Sequence, residues 1–143
     1  MIDHEIGYMS AFDMAAAIKA KKLSPVEVVE AILARIERLN PKVNAYCTLL
    51  AESARKEAKD AETAVMKRKR LGRLHGVPVS IKDLIFTKGV RTTFGSKIYE
   101  SFLPPEDAVV VERLKAAGAI IVGKTNTPEF GFMGVTDNLI FGP

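Results

Sequence analysis

Lys82 and Asp83 stand side by side at the end of an apolar stretch, "HGVPVSIKDLI", His75 to Ile85. Val77, Val79 and Ile81 alternate with smaller or polar residues, which is the period of a β-strand. Lysine acts as a base only after losing its proton, and its reference pKa near 10.4 makes that rare in water. Burial at the end of an apolar strand disfavours the charged form. A neutral amine there can act as a general base. By spacing alone the plainer reading is that Lys82 reaches solvent or pairs with Asp83.

The serines within these residues offer few partners. Ser10 and Ser24 stand where helix N-caps belong. Ser80 precedes Lys82 by two, so in a strand the two side chains share a face and a dyad is conceivable. Ser96, after Gly95, is the other candidate. Both read more simply as sheet or loop hydroxyls, because no oxyanion hole can be identified beside them. Two histidines, His4 and His75, and one cysteine, Cys47, do not make a metal cluster, so no metal is expected. Cys47 in "NAYCTLL" reads as a core residue. "GAIIVGKT", Gly118 to Thr125, formally matches the phosphate-loop pattern G-x-x-x-x-G-K-[ST]. Its interior, Ala119 to Val122, reads as a strand, and no strand immediately precedes Gly118. Neither nucleotide nor any other cofactor is expected, and Lys124 and Thr125 are read as finishing that strand.

The elements that must carry these residues follow from pattern. "SAFDMAAAIKAKK" opens a helix at Ser10, with Asp13 in the place of a capping-box partner. "SPVEVVEAILARIERLN" has Ser24 as cap, Pro25 at the first helical position and Glu27 completing the box. Val29, Ile32, Leu33 and Ile36 share one face, and Asn40-Pro41 predicts the stop. A third helix from about 51 to about 69 carries a stripe of Ala54, Ala58, Ala61 and Val65. After a Gly- and Thr-rich loop, "EDAVVVERLKAAG" predicts a helix opened by acidic residues and closed by Gly118. "AIIVG", Ala119 to Gly123, predicts a buried strand, and "NTPEFGFMG" a short helix or turn near Pro128. Residues 8–70 are thus read as helical, 74–124 as a βαβ unit with two parallel strands, and 125–143 as loop. The fold class is α/β.

Composition sets the outer limits. With 48% hydrophobic and 27% charged residues the chain is of globular type. No apolar run approaches the roughly 18 residues of a membrane span, and the N-terminus lacks a basic start and an apolar core, so no secretory signal is expected. A single cysteine suits a reducing compartment, and the cytoplasm is the expected location. "KRKR", Lys67 to Arg70, is the conspicuous part of a net charge of +4. It is read as a solvated helix end, and without interleaved aromatics no nucleic-acid binding is expected.

Taken together, "GRLHGVPVSIKDLIFTKGVRTTFGS", "PPEDAVVVERLKAAGAIIVGKTNTPEFG" and "TDNLIFGP" resemble the amidase signature family, which includes aliphatic amidases and the A subunit of the glutamyl-tRNA amidotransferase. The likeness runs from "SPVEVVEAILARIERLNPKVNA" to the last residue and covers the N-terminal part of the family's longer fold. It implies hydrolysis or transfer of an amide through an acyl-serine, with Lys82 as the base end of a Ser–cisSer–Lys triad. Asp83, Thr125 and Asn126 stand as supporting residues around it. The family's two serines lie in a "GGSSGG"-type segment that these 143 residues do not contain. The chain therefore reads as an N-terminal fragment that turns over no amide by itself. The other reading is a non-catalytic module, or a truncated gene product, that docks on another chain. An open sheet edge would then be a surface for self-association.

Overall fold

A computed structural model describes residues 3–143; Met1, Ile2 and the side chains of Asp3 and His4 lie outside the described residues. The chain runs α1 (Asp3–Ile6), α2 (Ala11–Lys19), α3 (Pro25–Val43), β1 (Tyr46–Leu49), α4 (Ala51–Met66), β2 (Pro78–Lys82), α5 (Val109–Ala116) and β3 (Ile120–Thr125). Short 3₁₀ turns occupy Lys97–Tyr99 and Glu129–Gly131, the latter where a turn near Pro128 is expected.

The helix starts follow their caps. Ser24 Oγ accepts from the Val26 N–H at 3.0 Å, and the Glu27 carboxylate accepts from the Ser24 N–H at 3.0 Å. Ser10 Oγ accepts from the Asp13 N–H at 3.1 Å. The expected stop at Asn40-Pro41 is overturned: Pro41 lies inside α3, and the helix leaves through Asn44 in the left-handed region at φ 45°. Asn40 meanwhile binds the next element, exchanging hydrogen bonds with the Tyr46 N–H at 2.7 Å and the Tyr46 carbonyl at 3.0 Å. The acidic residues expected to open α5 lie before it. Asp107 instead accepts from the Lys88 N–H at 2.7 Å and from Lys115 Nζ at 2.6 Å, pinning the preceding loop to the helix.

The sheet differs from the two parallel strands expected of the sequence. It has three strands in the order β1-β3-β2, with β2 parallel and β1 antiparallel to β3. Four residues of β1 carry too little pattern to announce a strand; the partner β3 decides it. Gly123 permits the approach, because a Cβ there would meet the Thr48 carbonyl oxygen at 2.5 Å and the Tyr46 ring at 3.1 Å.

Packing divides the core by sheet face. Val29, Leu33 and Ile36 of α3 and the alanine stripe of α4 bury Ile120 and Val122. The small stripe brings α4 close to its neighbours, as its composition suggests. On the other face Ile81 and Ile121 pack with Val111 of α5. The helix α4 ends at Met66, so the basic run Lys67 to Arg70 lies just beyond it and is exposed.

Candidate active site

An irregularity in the β2–β3 ladder arranges the site. Val79 pairs with Ile121 but Ser80 with Gly123, so Val122 is an extra residue in β3. A bulge of this kind resets which side chains share a face. Beyond it Ile81 is level with Lys124, and Lys82 with Thr125. Lys124 turns into the protein on the side of Ile81. Lys82 points to the side of Ser80, and both are exposed.

The four sequence-predicted site residues therefore separate into two pairs. Lys82 and Thr125 lie side by side at the strand ends. Asp83 and Asn126 are buried. Asp83 does not serve as the neighbour's ion partner. Its Oδ2 accepts from the Thr93 N–H at 3.0 Å and from Thr93 Oγ1 at 2.5 Å, and its Oδ1 lies 3.9 Å from Lys124 Nζ. Asn126 binds the end of the chain. Its Nδ2 donates to the Asn44 carbonyl at 3.3 Å and the Gly142 carbonyl at 3.2 Å, and its Oδ1 accepts from Asn138 Nδ2 at 2.8 Å. This ties residues 126–143 to the end of α3.

The two candidate serines are placed apart from a dyad. Ser80 Oγ bonds the Tyr46 hydroxyl at 2.5 Å, across Gly123. Ser96 is buried, and its hydroxyl finds no hydrogen-bond partner among the described residues. Cys47 is partly buried, and burial pushes its thiol up to about 12, away from any thiolate chemistry at neutral pH.

Sequence reasoning missed Lys124 as a member of this region. It is fully buried, and Nζ donates to the Ile85 carbonyl at 2.5 Å, to Thr92 Oγ1 at 2.8 Å and to Thr87 Oγ1 at 3.1 Å. Burial lowers its pKa to about 8, while the Asp83 carboxylate acts in the opposite sense. The signal was present in the sequence as an acidic residue and three threonines, Thr87, Thr92 and Thr93, near one another. Lys124 itself sat inside a strand-like run that gives no hint of inward charge. The amine of the formal phosphate-loop match is thus spent on protein oxygens.

The loop after Asp83 is held from outside as well. Phe94 adopts φ 55°, and its N–H donates to the Asp83 carbonyl at 3.0 Å. Its ring packs against Phe86, Tyr99, Phe102 and Phe130 at centroid distances from 5.0 to 6.4 Å.

Residues 27–143 match the Amidase family model, and the chain belongs to that family. It is 46% identical to the A subunit of the glutamyl-tRNA(Gln) amidotransferase of Carboxydothermus hydrogenoformans over 97% of this chain and 29% of that protein. It is 41% identical to an acylamidase of Rhodococcus erythropolis over 100% of this chain and 30% of that protein. Among solved structures it resembles a bacterial aryl acylamidase of the amidase signature enzymes, with a TM-score of 0.90 and 31% identity over 95% of this chain and 29% of that one. It also resembles a fatty acid amide hydrolase, with a TM-score of 0.93 and 26% identity over 98% of this chain and 25% of that one. The chain spans less than a third of the length of each of these relatives. Among the described residues no helix is long and apolar enough to cross a membrane.

Proposed function

We propose that this chain is the N-terminal part of an amidase that hydrolyses or transfers amide groups by a Ser–cisSer–Lys mechanism, with Lys82 as the base. The observation that carries this reading is the position of Lys82 at the exposed end of β2, level with Thr125. A base must be reachable by the hydroxyl it deprotonates, and an exposed strand end can receive one from a further segment. The serines belong to a "GGSSGG"-type segment supplied from outside these residues, so the chain alone is inactive. Its substrate is a small amide, and its place of work the cytoplasm. Nucleic-acid binding by this chain alone is not part of the reading. Turnover of a panel of simple amides and of glutamine tests it. The chain by itself gives none. The chain joined to the remaining length of the Rhodococcus acylamidase gives turnover. Hydrolysis by the 143 residues alone, or an inactive joined protein that is folded, would sink the proposal.

A second reading, that of a docking module, is favoured by a different observation. Phe132, Leu139 and Val135 are 91%, 81% and 63% exposed beside an open groove of about 450 Å³ lined in part by Phe130 and Met133. Exposed apolar surface of this kind associates. On this reading the isolated chain forms dimers or larger species, through this strip or an open sheet edge, in light scattering. A strict monomer at high concentration removes the support for it.

A further inference from the structure

We propose that Lys124 and Asp83 form a buried brace that positions Lys82, by fixing the segment which leaves the strand immediately after it. The inference rests on the reading of Lys82 as base and adds two positioning residues to it.

The hydrogen bonds around Lys124 define the state of the brace. Thr87 Oγ1 donates its own proton to the Ile85 carbonyl at 3.3 Å, and Thr92 Oγ1 donates to the Val90 carbonyl at 3.1 Å. Both hydroxyls therefore meet Lys124 Nζ as acceptors. The Ile85 carbonyl is a third acceptor. Three acceptors around one nitrogen require three N–H donors, and only the ammonium form of lysine has them. The Asp83 carboxylate, 1% exposed, supplies the counter-charge.

Every one of these contacts lands on residues 83–93. From Asp83 to Ala108 the chain has no strand and only the single 3₁₀ turn. Backbone hydrogen bonds within it, such as that from the Thr92 N–H to the Phe102 carbonyl at 3.0 Å, hold it together, and the Lys124 side chain joins it to β3. Asp83 is held on both sides of its peptide unit as well, its N–H donating to the Thr125 carbonyl at 2.9 Å and its carbonyl accepting from Phe94. Lys82 is one residue away from this fixed point. A base misplaced by about 1 Å loses much of its effectiveness, so a fixed neighbour has a catalytic consequence.

Amide hydrogen exchange on the 143-residue chain tests the brace without reading activity. In the unaltered chain the amides of Asp83, Thr93 and Phe94 keep a fixed ratio of protection to those of Val29 and Leu33 in α3. In Lys124→Met that ratio falls at least tenfold, because the loop opens locally while α3 still opens only with the whole fold. A residue that merely stabilises the core lowers both sets together, and an unchanged ratio overturns the proposal. Should Lys124→Met fail to fold, Thr92→Val removes one acceptor with nearly the same shape, and the same ratio decides. Because no turnover enters the measurement, failure of the brace is distinct from failure of Lys82 as base, which the amide panel reads.

Discussion

Replacement of Lys124 by methionine lowers the unfolding free energy of this chain by about 3–5 kcal/mol, the usual cost of removing one partner of a buried ion pair. The cost comes from what remains. The Asp83 carboxylate is left buried without its partner, and the oxygens of Ile85, Thr87 and Thr92 lose their shared donor. Since whole domains are stable by only about 5–15 kcal/mol, denaturant melts of the variant should shift far from those of the unaltered chain. Adding Asp83→Asn returns part of the loss, because the uncompensated charge is gone. A double variant whose loss equals the sum of the two single losses would show that the pair is not coupled. The pH dependence has a defined sign. The folded value of about 8 lies below the ordinary value of 10.5, so unfolding takes up a proton between the two. The unfavourable contribution of the charged group, present below about 8, is relieved as pH rises through that window. The gap in stability between the unaltered chain and Lys124→Met therefore widens from pH 8 towards 10.5, and a gap that narrows would contradict the lowered value.

Lys82→Ala, made in the chain joined to the rest of an acylamidase, lowers kcat by about 10²–10⁴-fold, the range a positioned general base contributes. KM changes little, because a base acts as the proton moves in the transition state and binds no part of the ground-state amide. Lys82→Arg does not rescue it, since a guanidinium stays protonated and cannot accept the proton. Steady-state kinetics on the three proteins reads this directly. Retention of half the turnover in Lys82→Ala, or rescue by arginine, would remove Lys82 from the base position. The same substitutions leave the isolated chain folded, because Lys82 is exposed and its side chain carries no part of the core.

Local sequence rules account for much of the frame. The Ser24–Glu27 box, the apolar face of Val29, Leu33 and Ile36, the alanine stripe and the continuous run at Ile120 each depend on a few neighbouring residues, and each is found where its pattern places it. The end of "VPVSIKD" as a strand delivering Lys82 is legible in the same way. What depends on distant partners is not. Pro41 is carried inside α3 because Asn40 and Asn44 have tertiary bonds to make with Tyr46 and the chain's last residues. Tyr46 to Leu49 become a strand because β3 offers an edge and Gly123 lets them near. Above all, Lys82 and Asp83 are neighbours in the sequence, and Lys124 is a strand residue among apolar ones. Plain alternation along β2 turns Lys82 away from Ile81, and one extra residue in β3 opposite the Val79–Ser80 step decides that Lys124 meets Asp83 inside. Alternation in a strand has a period of two, so a single inserted residue exchanges faces for everything after it, and only the paired ladder records where that insertion falls.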